Sequence, residues 1–144
     1  MAPGRKTIRY TGVERRRFSR LKGPLSVRFC LVFHQESEPR SGVIVGKTRD
    51  VSAEGLCLET NRVIIDRTHI VSEAMGDGKS LSLSIEIPDE TEPLETLGKV
   101  VWYDLAPEDS DFRFRAGVLF TEMREDEGKR WKQFLSAIQK KWTF

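Results

Sequence analysis

Apolar and polar residues alternate with period two along much of this chain, most cleanly in the run that starts at Leu25. Leu25, Val27, Phe29, Leu31 and Phe33 fall on one face, with Ser26, Arg28, Cys30, Val32 and His34 opposite. Successive side chains of a strand point to opposite sides of a sheet, so this pattern predicts a half-buried β-strand. Further strands are predicted over residues 43–49, 56–60, 80–87, 97–105 and 112–123. In the fourth of these six runs, Leu81, Leu83, Ile85 and Ile87 alternate with Ser80, Ser82, Ser84 and Glu86 until Pro88, which has no N–H to continue a ladder. Leu97, Val101 and Tyr103 oppose Gly98, Val100 and Trp102, and Phe112, Phe114, Ala116, Val118 and Phe120 share one face of the last run.

After Glu125 the period changes. Trp131, Phe134, Leu135, Ile138 and Trp142 recur at three- and four-residue spacing, one stripe of an amphipathic helix. Glu125, Asp126 and Glu127 stand in its first turn and Lys140 and Lys141 near its end, the order the helix dipole favours. The aromatic stripe is read as a lid on the end of a barrel rather than a partner-binding face. Short antiparallel strands with turn signals and one terminal helix predict a mainly β fold: a small six-stranded antiparallel β-barrel with a C-terminal α-helix, and no βαβ unit. No internal repeat is visible.

The segments between the runs are less regular. Residues 1–13 contain Pro3, Gly4 and Gly12 without periodicity and read as a flexible lead-in. Lys22-Gly23-Pro24 punctuates the chain before the first strand, and residues 35–42 form a polar loop. Residues 61–79 mix Val63-Ile64-Ile65 with charges, allow a short helix over 72–75, and end in the turn Gly76-Asp77-Gly78. An acidic loop is predicted over 89–95. The expected organisation is one domain over 14–144, with an arm at 14–22, a barrel at 24–123 and a helix at 124–142.

Length and composition narrow the classes. A chain of 144 residues can bury a core without staples, and 38% apolar with 32% charged residues argues against wholesale disorder. No stretch approaches the roughly 18–20 apolar residues that span a bilayer, and no apolar run follows the first charges as in a secretory signal. Two cysteines, Cys30 and Cys57, make no disulfide framework, so a reducing cytoplasm is expected. The net charge of +2 hides an asymmetry: residues 1–22 hold eight bases against Glu14, a charge of +7, which leaves −5 for the remainder. A basic arm on a mildly acidic body suits an anionic partner, or docking of the arm on the body itself.

Candidate chemistry centres on that arm. Glu14-Arg15-Arg16-Arg17-Phe18-Ser19-Arg20 carries one apolar residue among four arginines and has almost nothing to bury. Arginine stays charged, and its planar fork matches a phosphate or the O6/N7 edge of guanine. Thirty positions after Arg20 comes Asp50-Val51-Ser52-Ala53-Glu54-Gly55, between two predicted strands. Asp and Ser bond backbone groups two positions on, and glycine supplies positive φ at no steric cost, so this is a sharp connection. Cys30, His34, Cys57 and His69 match no zinc-ligand spacing, and Ser52 stands in no G-x-S-x-G signature. Neither a metal site nor enzymatic activity is expected. Nucleic-acid binding is the rival class, since a basic arm with Phe18 interleaved on a β-barrel suits a single strand. The acidic body and few exposed aromatics disfavour it.

Together, Arg16-Arg17-Phe18-Ser19-Arg20 and Asp50-Val51-Ser52-Ala53-Glu54-Gly55 resemble the R-x-x-x-R and [D/N]-x-S-x-x-G motifs of the PilZ domain, the bacterial receptor module for cyclic di-GMP. Gly98 to Trp102, as G-x-V-x-W, and Ala116-Gly117-Val118-Leu119-Phe120 are similar to late PilZ strands. The resemblance implies that Arg16 and Arg20 contact phosphates and guanine edges and stack on the bases. It implies that Asp50 and Ser52 hydrogen-bond a guanine, that Gly55 permits the turn, and that Arg15 accompanies a stacked, self-intercalated ligand dimer. It further implies a non-enzymatic switch that signals to a downstream protein partner, with a nucleotide-free protein adaptor as the alternative within the family. Two departures stand out: Ser19 where proline is common, and a longer segment after Asn61.

Overall fold

The computed structural model describes residues 21–22, 24–34 and 40–142, with side chains from 24 to 34 and 40 to 139. The predicted lead-in at 1–13 and the arginine stretch lie outside the described residues. In chain order the elements are β1 (Leu21–Lys22), β2 (Ser26–Phe33), β3 (Ile44–Val51), β4 (Gly55–Thr60), β5 (Ile64–Ile65) and β6 (Thr68–His69). There follow α1 (Ile70–Glu73), β7 (Lys79–Ile85), β8 (Leu94–Leu105), β9 (Phe114–Glu122) and α2 (Glu125–Trp142).

Six of the strands close a barrel. Going round it, β3 pairs with β2, β2 with β7, β7 with β8, β8 with β9 and β9 with β4, and β4 returns to β3, every pair antiparallel. Closure removes the exposed edges that an open sheet of this length would present. The predicted inward face of β2 is confirmed in its centre, where Val27, Phe29 and Leu31 are buried against Leu81, Leu83 and Ile85 of β7. The predicted outward face is less solvated than alternation suggests, since Cys30 and Val32 are buried too. The chain returning to β3 runs beside the strand there: Ser41 exchanges hydrogen bonds with the backbone of Leu31, and the Arg40 guanidinium opposes the upward shift that burial gives the Cys30 thiol.

Both ends of the barrel are stopped. At one end the segment 61–79, which the sequence left largely irregular, forms the β5–β6 hairpin and α1. Ile70 and Val71 of α1, and Ala74 that caps it, enter the core with almost no exposure. The helix begins two residues before the predicted 72–75 because the His69 imidazole caps it, accepting from the Ser72 N–H at 3.0 Å. At the other end lies α2, whose Trp131 is 2% exposed and packs edge-on to Phe120 at 5.4 Å between ring centres. Phe134, Leu135 and Ile138 pack around it, so the lid reading of this stripe holds for its described members.

One turn before Trp131, the same face of α2 is tied to the segment between β7 and β8. Buried Glu127 accepts from the Glu95 N–H at 3.0 Å and from Arg130 at 2.7 Å, and Arg130 reaches on to Glu90 at 2.6 Å. That loop runs over 86–93, earlier than the predicted 89–95, because β7 ends at Ile85 and β8 already pairs with it from Leu94.

Candidate functional site

The second motif is the tip of the β3–β4 hairpin. Val51 faces Leu56 across the ladder, and the Ser52 N–H donates to the Gly55 carbonyl at 2.9 Å to close the turn. The Ser52 hydroxyl accepts from the Glu54 N–H at 3.3 Å, the local bond for which serine is favoured in turns. Two neighbours then fix the tip from outside. The Phe120 N–H donates to the Glu54 carbonyl at 2.8 Å, and the buried Trp131 indole N–H donates to the Ser52 carbonyl at 2.9 Å.

Gly55 is required for a different reason from the predicted one. Among the described residues the only glycine at positive φ is Gly78, so Gly55 does not serve a left-handed turn. A Cβ at Gly55 would lie 2.0 Å from the Val118 carbonyl oxygen, because the backbone of β9 runs directly against it. Close approach, and not dihedral freedom, excludes a side chain here.

Asp50 is aimed by a bulge. The β3–β4 register shifts between Thr48 and Asp50, which leaves Arg49 as the extra residue. Asp50 is thereby paired with Cys57, whose neighbours Leu56 and Leu58 belong to the core, so Asp50 and Cys57 share the outer face of the barrel. The row continues across two more strands, from Cys57 to Gly117 on β9 and from Gly117 to Trp102 on β8. Gly117 leaves room for an indole: a Cβ there would lie 2.2 Å from Trp102 Nε1. The Trp102 ring therefore rests on the β9 backbone and walls the far end of the row. One residue pair further along, Arg115 donates from Nε and Nη2 to one oxygen of Glu59 at 3.1 and 2.8 Å.

This face is crowded for a barrel exterior. Cys57 and Asp50 are each 6% exposed. Burial pushes the Cys57 thiol up to about 12, and the Asp50 carboxylate adds to the shift while the Arg115 guanidinium opposes it. The thiol is thus neutral at any physiological pH, a small apolar floor between one acid and one base.

Of the predicted site residues, Asp50, Ser52 and Gly55 stand together at this hairpin. Arg15, Arg16 and Arg20 lie outside the described residues. The strand that follows them is described, however: β1 pairs with the end of β3, Leu21 opposite Val51 and Lys22 opposite Asp50. Sequence reading missed β1, Trp102 and the Glu59–Arg115 pair. A signal existed for Trp102, a bulky aromatic and a glycine in adjacent strands, yet only the register shows that they meet.

The cysteines and histidines do not converge. Cys30 is on β2 and Cys57 on β4, while His34 bonds Ser80 at 2.7 Å and His69 caps α1. Among the described residues no group of three or more His, Cys, Asp or Glu side chains could hold a metal ion. None of the described helices is long and apolar enough to cross a membrane.

Comparison with known proteins gives a consistent result. The family model described as PilZ domain matches residues 14–137. No curated protein matches the sequence at a significant level. Among solved structures, the chain is similar to the Bacillus subtilis inhibitor of motility MotI/DgrA, with a TM-score of 0.59 and 20% identity over 87% of this chain. It spans only 51% of that protein. It is also similar to the PilZ domain of CeSA from a cellulose-synthesizing bacterium, with a TM-score of 0.50, 11% identity, and coverage of 84% of this chain and 98% of that one.

Proposed function

Because the chain belongs to the PilZ domain family, whose members are generally cyclic di-GMP receptors and are binding domains, not enzymes, we propose that it binds cyclic di-GMP on the outer face of its barrel and signals to a downstream protein. One observation carries the reading beyond the family level. The strand that continues the arginine stretch is paired to the second motif, with Lys22 registered to Asp50. Arg20 is bonded to Leu21, so a ligand held at Asp50 lies within a few residues' reach of the motif arginines.

The chemistry divides by residue. Asp50 accepts from guanine N1–H and N2–H, and the Ser52 hydroxyl adds a bond at the hairpin tip. Arg16 and Arg20 supply two-pronged, charge-assisted bonds to phosphate and guanine edges, the stronger kind of hydrogen bond, and a stacking contact. Arg15 adds the charge for a second, intercalated ligand. Trp102, at the far end of the row, offers an aromatic wall with one face on backbone. Neutralising a charge of +7 on the first 22 residues is the event that alters the surface a partner meets. The domain division at 14–22, 24–123 and 124–142 follows these roles, and a cytoplasmic location follows from the ligand.

Isothermal titration calorimetry of the full chain tests this with cyclic di-GMP, GTP and a short single-stranded DNA. Saturable binding of the dinucleotide alone, lost in Arg16→Ala and in Asp50→Ala, is the expected result, at about two ligands per chain if Arg15 acts as proposed. Salt-sensitive binding to DNA with silence toward the dinucleotide would replace this function by nucleic-acid binding. Silence toward all three would leave a protein adaptor.

A further inference from the structure

Resting on that reading, we infer that Arg115 is a further ligand contact, which reads the O6/N7 edge of the guanine held by Asp50. Asp50, Cys57 and Gly117 form one outward row, and Arg115 follows Gly117 by two positions on β9, so it shares their face. Strands lie about 4.7–4.9 Å apart, which puts Gly117 roughly 10 Å from Asp50 across β4. A guanine whose N1–H and N2–H face Asp50 turns its N7 side away from β3. Across β4 that direction leads to β9 and Arg115.

The state of the arginine supports a reading role. Its Nε and Nη2 both donate to a single oxygen of Glu59, and both side chains are mostly withdrawn from water, at 17% and 12% exposure. Of five N–H donors, two are used by Glu59, and the Nη1 end makes no other hydrogen bond among the described residues. Glu59 therefore holds the guanidinium plane in one orientation while leaving donors that fit two adjacent acceptors. For a pair so far withdrawn from water, desolvation offsets much of the attraction and little net stability remains, whereas a fork fixed in advance loses less freedom when a ligand arrives. Arg115 and Trp102 would then bound the same base from two sides, with the neutral Cys57 thiol beneath it.

The test is a chemical double-mutant cycle on the full chain, titrating cyclic di-GMP and its 7-deaza analogue, in which N7 is replaced by C–H. Arg115→Gln is expected to weaken cyclic di-GMP binding about tenfold or more, and to weaken the analogue no more than about threefold, so that the penalty for losing N7 shrinks. Equal weakening of both ligands would make Arg115 a packing residue and overturn the inference, as would no weakening at all. If Arg115→Gln does not fold, as judged by circular dichroism, Arg115→Lys keeps the charge opposite Glu59 without the fork and is subject to the same comparison. Loss of binding in Asp50→Ala with Arg115→Gln unaffected removes this inference alone. A wild-type chain that binds neither ligand removes it together with the receptor reading.

Discussion

Replacing Trp131 perturbs the barrel and the candidate site through one side chain, and the two effects can be separated. The indole is 2% exposed, makes an edge contact with Phe120 at 5.4 Å and a tilted one with Phe134 at 5.6 Å, and donates to the Ser52 carbonyl at 2.9 Å. Truncation to alanine removes the whole buried ring, which in cores costs about 3–5 kcal/mol. Phenylalanine keeps most of the ring contacts and loses the N–H bond. A net hydrogen bond is about 0.5–1.5 kcal/mol, and the smaller ring adds a partial cavity, so Trp131→Phe should cost about 1–2 kcal/mol. Urea unfolding followed by circular dichroism measures both values. For a domain of this size 1 kcal/mol corresponds to about 4 °C in Tm, so the two variants should separate clearly in a thermal scan as well. If Trp131→Ala costs under about 1 kcal/mol, α2 is not seated on the barrel end and the reasoning fails. Because the lost bond in Trp131→Phe is the one that fixes the Ser52 carbonyl, cyclic di-GMP affinity should fall in that variant while Arg130→Ala, which loosens α2 from the β7–β8 loop, leaves affinity near wild type.

Two further predictions follow from the outer face. Gly55→Ala places a methyl group 2.0 Å from the Val118 carbonyl oxygen, a backbone atom that cannot rotate away, so the variant should lose about 3 kcal/mol or more by urea unfolding; a loss under about 1 kcal/mol would show that β4 and β9 are not so close. The Cys57 thiol, raised from 9.0 to about 12, titrates in the unfolded chain before it titrates in the folded one. Its contribution to stability is therefore complete below about pH 9 and is lost as pH rises towards about 12, at up to about 1.4 kcal/mol per pH unit. Urea unfolding from pH 8 to about 10.5 should show a steeper decline for wild type than for Cys57→Ala, and parallel declines would refute the shift.

The architecture was legible where burial is one-sided. Alternation in 25–33 and 80–87 named inward residues correctly because the barrel core sits on one side of each strand. It misled at Cys30 and Val32, which are buried on the opposite face, since alternation records burial against the core and not against whatever lies outside the barrel. Residues 61–79 were opaque for a related reason. An end plug of two two-residue strands and a four-residue helix has too few repeats for any period to show, although Ile70, Val71 and Ala74 are as buried as the barrel strands. β1 is just two residues as well, and no pattern in Leu21 and Lys22 announces that they pair with β3.

The candidate site divides along the same line. Ser52 could be picked out because turn chemistry is local: its bonds reach residues two and three positions away, whereas Asp50 stood out only through its place in the motif. Trp102 and Arg115 could not, because each acquires its meaning from a partner 15 or 56 residues distant, Gly117 and Glu59, brought alongside by registers that include a shift between Gly117 and Val118. A bulge of one residue decides which face a side chain joins, and the sequence carries no direct record of it. Without the shift at Arg49, Asp50 would change faces relative to Cys57 and enter the core, where an unpaired carboxylate is strongly disfavoured. The cost of burying that charge is thus a physical reason for the bulge, and the bulge is what puts Asp50 on the barrel's outer face rather than in its core.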